Sequence, residues 1–478
     1  MARRGDALRV YTLDDLAPEV VAVTFAKTSR VPDSFDDIAR ELSETDSSRF
    51  HEKWVIGYGH SSVAEHAVLS IAIENVSILA AKVVEDNRLS SFTEKSTRYQ
   101  VMDPEHYYTP PCFADGEAAR VYEGTIAALY SAYGDLMPEA RRFCDEAYGS
   151  PEWKERGVSP AGKACDAIRG LLPAAATTNL GWTVNARELR HAAVKMASHP
   201  LAEVRELARV VVEAARRKVP TLLKYTDASA YLKGWEGRLA GASGTAPSSR
   251  RAGAATGAPP HSTSEPGVRL VSYDPDGERA VLAAMLFRAT GRAYDEIAAD
   301  VQEYDTNRVG VLLNDALSGI GGHEAPVREL ESTAYTFEIV CDFGAYRDIQ
   351  RHRMATQTEQ PLSCDLGHVI PTDACEAGLA GRMADALDRA RKSWRALADI
   401  DPIHAQYSVP LAFRKRFLIR MNLREAFHFV GLRSRVQGHE SYRRVAWAVR
   451  DEIERVHPSL GSLIPAECDA ARVEAEVR

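Results

Sequence analysis

Leu69, Ile71 and Ile73 alternate with smaller or polar residues, and so do Tyr335, Phe337 and Ile339. A period of two puts each set on one face of an extended chain and predicts a half-buried strand in each region. Both stretches then change to three-and-four spacing, Val76, Leu79 and Val83 in one, Phe343, Tyr346 and Gln350 in the other. This predicts a helix directly after each strand. Further on, SPAGKACDAIRGLLP, LRHAAVKMASHPLAEVRELARVVVEAARR, REAFHFVGLRSR and SYRRVAWAVRDEIERV read as helices, so the expected class is α+β. In RKRFLIRMNLREAFHFVGLR, residues 414–433, Arg416, Arg420, Arg424 and His428 lie four apart, the spacing of one helical face. Phe417, Leu418, Ile419, Met421, Phe427 and Phe429 around them argue against full solvation of that face.

The recurrence of strand-then-helix is part of a longer repeat. LRVYTLDDLAPEVVAVTFAKTSR near the start is echoed by VRLVSYDPDGERAVLAAMLFRATG, GYGHSSVAEH by GIGGHEAPVRE, and GWTVNAREL by LIRMNLREA, in the same order. Between the copies, residues 240–266 are almost entirely Ala, Gly, Ser, Thr and Pro. They lack the apolar periodicity that a packed segment needs and are expected to form a flexible linker. The expected domains are therefore 1–239 and 267–478, each of ordinary size.

Composition narrows the function classes. Among 478 residues, 67 acidic side chains oppose 59 basic ones for a net charge of -8, which argues against nonspecific nucleic-acid binding while leaving room for a local anion site. The seven cysteines are scattered and never spaced C-x-x-C, so neither a disulfide framework nor a zinc site is expected. MARRGDALRV lacks the apolar core of a signal peptide and no apolar run approaches bilayer length; a cytoplasmic protein without membrane or nucleic-acid partners is expected.

Three clusters are candidates for chemistry. Arg351, His352 and Arg353 stand together at an expected helix end. They either complement the helix dipole or form an anion site through paired, charge-assisted hydrogen bonds. In FTEKSTRY, residues 92–99, Glu94, Ser96 and Arg98 alternate; an extended loop would turn all three to one side, to grip a phosphorylated sugar, but a surface turn would look the same. The arginine row at 416, 420 and 424 is either a solvated basic face or a partly buried one. His60, Glu65 and His66 do not have the zinc spacing H-E-x-x-H and are read as structural or as cofactor contacts.

Taken in order, these motifs resemble the flavin-dependent thymidylate synthases, which methylate dUMP to dTMP with FAD, NADPH and methylenetetrahydrofolate. The family signature is Arg-His-Arg followed, after a short run, by Glu-x-Ser-x-Arg-Tyr, after a turn of Gly-His-x and then Ser or Thr, a strand and a helix; a later helix carries Asn-x-Arg and then Leu-Arg. The resemblance covers nearly all of both copies outside the linker. It implies two tandem copies of an α+β fold in which helices pack on a mixed sheet. Family members work as homotetramers with active sites shared between subunits, so the chain is expected as a homodimer forming a pseudo-tetramer.

Each copy departs from the signature in a complementary way. The first has Asp86-Asn87-Arg88 for the triplet but keeps Glu94-Lys95-Ser96-Thr97-Arg98-Tyr99; the second keeps Arg351-His352-Arg353 but continues Glu359, Gln360, Pro361, Leu362, Ser363, Cys364. Arg169, four residues before Pro173, matches the family's nucleotide arginine, whereas the second copy has Gln406 before Pro410. Arg433 matches the arginine that assists ionisation of the uracil ring, where the first copy offers Lys195 or Met196. Asp348 stands where the family commonly has a glutamine near the nucleotide.

The resemblance thus implies one composite site. Arg433 is expected to be catalytic. Arg351, His352, Arg353, Glu359, Asn422, Arg424, His428 and Ser62 are expected to hold the flavin. Glu94, Lys95, Ser96, Thr97, Arg98 and Arg169 are expected to bind dUMP. The reciprocal site should be dead, since it has lost most of its cations and each charge-assisted hydrogen bond contributes about 1.5–3 kcal/mol. No metal is expected. The rival readings are C5 modification of another uracil nucleotide and a non-catalytic nucleotide- or flavin-binding regulator.

Overall fold

The structure, a computed structural model, describes residues 61–243, 266–321 and 324–467, together with 11–13, 16–28, 31, 33–42, 47 and 50. His60, His323 and residues 244–265 of the expected linker lie outside the described residues. The elements used below are, in chain order, α1 (Pro18–Lys27), β1 (Val68–Ser77), α2 (Ile78–Glu85), β2 (Ser90–Glu94), α3 (Gly116–Tyr148), α4 (Pro160–Ile168), β3 (Thr177–Asn185), α5 (Ala186–Ala197), α6 (Ala202–Arg216) and α7 (Ala230–Ser243). They continue with β4 (Gly267–Tyr273), β5 (Ala334–Asp342), α8 (Phe343–Gln350), β6 (Thr356–Glu359), α9 (Ala380–Ile400), β7 (Arg414–Asn422), α10 (Leu423–Arg433) and α11 (Glu440–Val456). The first four residues of the segment expected as linker, 240–243, thus belong to α7.

The described elements form an α+β fold with two sheets, of order β1-β3-β2 and β4-β5-β7-β6. A mixed sheet was the expectation, but in the second sheet every neighbouring pair is antiparallel. β5 and β6 both run antiparallel to β7, so they are parallel to each other without touching: β7 lies between them. The core face of this sheet carries Tyr335, Phe337, Ile339, Phe417, Ile419 and Met421, all buried.

That face also corrects the reading of residues 414–433. Arg416 and Arg420 belong to strand β7, and only Arg424 and His428 lie on a helix, α10. Within the run, Phe417, Ile419 and Met421 alternate with Arg416, Leu418 and Arg420. This period of two governs a strand between two sheet neighbours, and the four-residue arginine spacing is compatible with both periods.

By contacts the chain divides into two compact units, Met1–Val76 with Val83–Lys95 and Thr178–Thr245, and Ser77–Lys82 with Ser96–Thr177 and Ala246–Arg478. In the first, Glu19 of α1 is buried and accepts from the Thr221 and Leu222 backbone N–H groups at 2.9 and 3.2 Å, tying α1 to the chain after α6. In the second lie the helices α3, α4 and α9 and the whole four-stranded sheet.

Within the second unit the Leu-Pro segments of the two sequence copies meet. Pro173 and Pro410 form an antiparallel bridge. Ala174 N donates to Val409 O and Leu411 N to Leu172 O, while Ala175 N donates to Tyr407 O and Ala412 N to Gly170 O, all at 2.9 Å. The bonds come in matched pairs, as a local two-fold relation between repeated segments requires. An added Cβ on Gly170 would stand 3.0 Å from the Ala412 Cβ, so the close approach depends on this glycine.

Candidate functional site: a closed network of arginines and carboxylates

Every side chain of the site described next belongs to the second compact unit. Helix α4 starts at Pro160 behind Ser159, whose hydroxyl accepts from Gly162 N, an N-cap with proline at the first turn. Its last turn presents Asp166, and the following turn presents Arg169, which is 3% exposed. On the second copy, α8 is capped by Asp342, which accepts from Ala345 N at 2.8 Å. Its end presents Asp348 and the Arg351-His352-Arg353 triplet. Gly344 in its first turn lies beside the Arg169 guanidinium, where an added Cβ would be 3.7 Å from Nε and Nη2. Asn422 caps α10 by accepting from Glu425 N at 2.8 Å, which orients Glu425 and, at the other end of that helix, Arg433.

These elements bring Arg98, Asp166, Arg169, Asp348, Arg433, His352 and Glu425 into one chain of contacts. Arg98 grips Asp166 through Nε at 2.8 Å to Oδ1 and Nη2 at 2.6 Å to Oδ2, and donates to the Tyr442 hydroxyl at 3.1 Å and the Gln437 carbonyl at 2.6 Å. Arg169 stands 3.7 Å from Asp166 Oδ1 and 3.8 Å from Asp348 Oδ2. Its Nη2 is buried without a hydrogen-bond acceptor. Arg433 approaches Asp348 Oδ1 at 3.7 Å, donates to the Asp348 backbone carbonyl at 2.5 Å, and faces the Tyr442 ring.

The protonation of His352 follows from its partners. Arg433 Nε–H donates to His352 Nε2 at 2.9 Å. A guanidinium has no acceptor, so Nε2 must be the unprotonated nitrogen and Nδ1 carries the hydrogen that it donates to Glu425 Oε1 at 2.8 Å. Burial, together with the charge of Arg433, pushes the imidazole well below its usual range; His352 is a neutral, fixed acceptor that orients Arg433. His439 is held the same way: it accepts from Ser441 N on Nδ1 and places Nε2 against the Asp166 carbonyl. Burial, reinforced by Arg169, lowers it to about 3.

The two aspartates stay ionised. Burial alone would raise Asp166, but Arg98 and then His439 and Arg169 outweigh it and hold the carboxyl at about 2. Asp348, too, is lowered despite burial, by Arg169, Arg433, Arg351 and Arg98. The network is therefore a set of alternating full charges in a water-poor setting, where pairing is strong and an unpaired member is costly.

Other expected residues lie elsewhere. Arg424 is turned away, donating to the Pro326 carbonyl at 3.0 Å and pairing with Glu331 at 2.9 Å. Asn422 is a helix cap, and Asn185 does the same for α5 in the other copy. Glu359 pairs with Lys415 at 2.9 Å and with Lys82. Arg351, Arg353 and His428 are exposed around buried His352, whose ring centroid is 5.3 Å from that of His428. Ser96 accepts from Arg98 N at 3.2 Å and Thr97 is buried. Ser62, Glu94 and Lys95 belong to the first compact unit; there Lys95 N donates to Asn179 O at 2.8 Å.

Sequence reasoning did not single out Asp166, Glu425, Tyr442 or His439. The i+3 spacing of Asp166 to Arg169, inside an otherwise apolar helix end, was the available signal for the first of them. Among the described residues, Cys112, Asp401 and His404 also converge, with ligand-type atoms within 4.8 Å of one another. Asp401 there accepts from Ile403 N, His404 N and the His404 ring, the bonding of a turn cap.

A helix-flanked antiparallel sheet with an arginine-rich cluster assembled from two sequence repeats defines a duplicated α+β protein. The thymidylate synthase complementing protein family matches residues 12–221 and again 269–459, and the chain belongs to this family, matched in two segments. A protein of Chlamydia muridarum named UPF0159 is 31% identical over 453 residues, covering 92% of this chain and 85% of that one. A flavin-dependent thymidylate synthase of Clostridium tetani is 27% identical over 217 residues, 44% of this chain and 83% of its own length. A UMP/dUMP methylase from Streptomyces cacaoi, solved with 5-bromo-dUMP, covers 42% of this chain and 96% of its own at 17% identity and a TM-score of 0.35. No described helix is long and apolar enough to cross a membrane.

Proposed function

We propose that the chain is a flavin-dependent methyltransferase acting at C5 of a uracil ring, of the thymidylate synthase type, with one active site composed from its two copies, 1–239 and 267–478. The observation that carries the reading is the network itself: Arg98, Asp166 and Arg169 from the first copy interleave with Asp348, His352 and Arg433 from the second. Arg98 and Arg169 come from the half of the signature kept by the first copy, His352 and Arg433 from the half kept by the second, which supports a shared site.

Exposed Arg351, Arg353 and His428 around a buried, neutral His352 suit the diphosphate of FAD, since paired guanidinium N–H groups match phosphate oxygens. When bound, FAD supplies redox and one-carbon transfer chemistry, with NADPH and methylenetetrahydrofolate as co-substrates. The protein's part is electrostatic. Arg433, held through His352 and Glu425, stabilises negative charge developing on the uracil ring. His352 cannot take up the proton of the ring while Arg433 occupies Nε2, so it serves as a positioning residue. Two such chains would supply the four family-like domains of a pseudo-tetramer.

The test is tritium release from the 5-position of labelled dUMP and labelled 2′-deoxyuridine, using flavin-loaded protein with folate donor and NADPH. Release from either supports the reading; absence of release from both, with flavin bound, would sink it in favour of a non-catalytic binding protein.

A further inference from the structure

Outside the arginine network, and independently of the flavin reading, we infer that Cys112, Asp401 and His404 form a binding site for one divalent cation of the zinc class. Ligand-type atoms of the three side chains lie within 4.8 Å of one another, and all three residues belong to the second compact unit. Zinc bonds of about 2.0–2.3 Å set tetrahedral donor atoms about 3.3–3.6 Å apart, so closing on a cation asks for a shift of about 1 Å. Cysteine spacing gave no sign of this, because the ligands come from two segments far apart in the chain.

The first ground is that backbone bonds fix both segments. Tyr108 N donates to Ala175 O and Ala175 N donates to Tyr407 O, both at 2.9 Å, and the rings of Tyr108 and Tyr407 meet with centroids 4.8 Å apart. Shortly after Tyr108, Cys112 stands in a single helical turn, Pro111–Phe113. Phe113 locks that turn: its side chain is fully buried and its N–H donates to Pro110 O at 2.9 Å. Just before Tyr407, His404 opens the short helical turn His404–Ser408. Thiol and imidazole are thus carried by two segments bonded to the same residue, a rigid support for a site.

The second ground is that the turn needs only half of what is present. Asp401 Oδ1 accepts from Ile403 N at 2.9 Å and His404 N at 3.0 Å, which completes the cap. Oδ2 is left to face His404 Nδ1 at 2.9 Å, and Cys112 bonds to the same carboxylate. Neither a thiol nor an imidazole is required by the turn. The repeat does not call for them either: matching Pro173 to Pro410 sets Ala164 and Ala167, both buried, opposite Asp401 and His404.

The third ground is the chemistry of the donor set. Thiolate, imidazole and carboxylate together suit zinc, whereas magnesium and calcium take oxygen ligands. Binding releases the thiol proton, and the cation then faces one thiolate, one carboxylate and a neutral imidazole, which leaves no net charge. Burial and the Asp401 carboxylate push the metal-free thiol up to about 11, the reverse of what a catalytic cysteine needs. Cys112 is exposed and the other two are part-exposed, so a cation can enter and a fourth position is open to water.

The test titrates the full chain, freed of metal by a chelator, with Zn²⁺ and in parallel with Co²⁺, whose thiolate charge-transfer band reports a cysteine ligand. Wild-type protein is expected to bind one Zn²⁺ with a Kd of about 1 μM or tighter, to show the band with Co²⁺, and to melt at a higher temperature with zinc. Cys112→Ser is expected to abolish the band and weaken zinc at least about tenfold; His404→Gln is expected to weaken zinc similarly while keeping the band. Cys375→Ser removes another exposed cysteine and should match wild type. Metal-free melting of each variant close to wild type establishes that it folds. Wild-type protein without the band or without zinc binding shows a turn cap only and overturns the proposal, as does a band that survives Cys112→Ser. Tritium release is read separately, so failure here leaves the uracil-ring reading standing.

Discussion

The two Leu-Pro segments, bonded to each other around Pro173 and Pro410, share a backbone and differ in what their side chains do. In the first, Arg169 reaches out to Asp166 and Asp348. In the second, Gln406 turns onto its own chain, accepting from Leu362 N at 2.8 Å and donating to Ile403 O at 2.9 Å, and the position three before it is the apolar Ile403 in place of Asp166. The helix ends that follow β1 and β5 differ similarly: His352 joins Arg433 and Glu425, while Asn87 is buried and donates to Val84 O of its own helix at 2.8 Å. A duplicated scaffold has thus kept its geometry twice and its charge once. A guanidinium needs a partner from another element, whereas an amide satisfies itself locally, so Gln406 in place of an arginine and Asn87 in place of a histidine drop the charged contacts while keeping hydrogen bonds of their own.

The largest effect expected from this contrast is on stability. Asp166→Asn strips the charge that pairs Arg98 and Arg169 and should cost about 3–5 kcal/mol in denaturant unfolding, because it leaves cations buried and uncompensated. Next is activity: Arg433→Ala should lower kcat/KM about 10²–10³-fold, read by tritium release, with Arg98→Ala and Arg169→Ala also severe. Asp86→Ala and Ser363→Ala, on the eroded side, should leave activity within about twofold; equal damage from both sets would break the comparison.

Acidity gives a third, intermediate test. His439 has a folded pKa of about 3, below its unfolded value, so the unfolded state binds the extra proton. Its contribution to stability is complete above about pH 6.5 and is lost as pH falls from there towards about 3, with a slope of up to about 1.4 kcal/mol per pH unit. Asp166, lowered to about 2, adds a loss from about pH 4 downward. His439→Asn retains a capping side chain and should flatten the upper part of this profile in thermal unfolding scans; an unchanged profile would show that His439 does not carry it. The smallest effect belongs to Gln406→Ala, which removes two hydrogen bonds at about 1 kcal/mol each and should not alter tritium release.

Much of this was readable along the chain because it depends on local spacing. The alternation of Leu69, Ile71 and Ile73 and of Tyr335, Phe337 and Ile339 marked β1 and β5, and the change of period marked α2 and α8. The resemblance to the family signature, with complementary departures at Asp86-Asn87 and at Pro361-Leu362-Ser363, implied a divided site. The arginines at 416, 420 and 424 misled, since four-residue spacing suits a helix face and also one side of a strand, and only the neighbours of β7 decide between them.

What tertiary structure alone decided is which charges meet. Arg98 and Asp166 are 68 residues apart and Arg433 and the Asp348 carbonyl are 85 apart; no periodicity links them, because it is the sheet and the paired Leu-Pro segments that bring α4, α8 and α10 together. The sequence by itself determined the elements, the duplication and the set of cations. Packing determined that Asp166 and Asp348 would stand against these cations and fixed His352 as an acceptor, since the energy of a charge depends on its neighbours in space and on the water that the fold excludes.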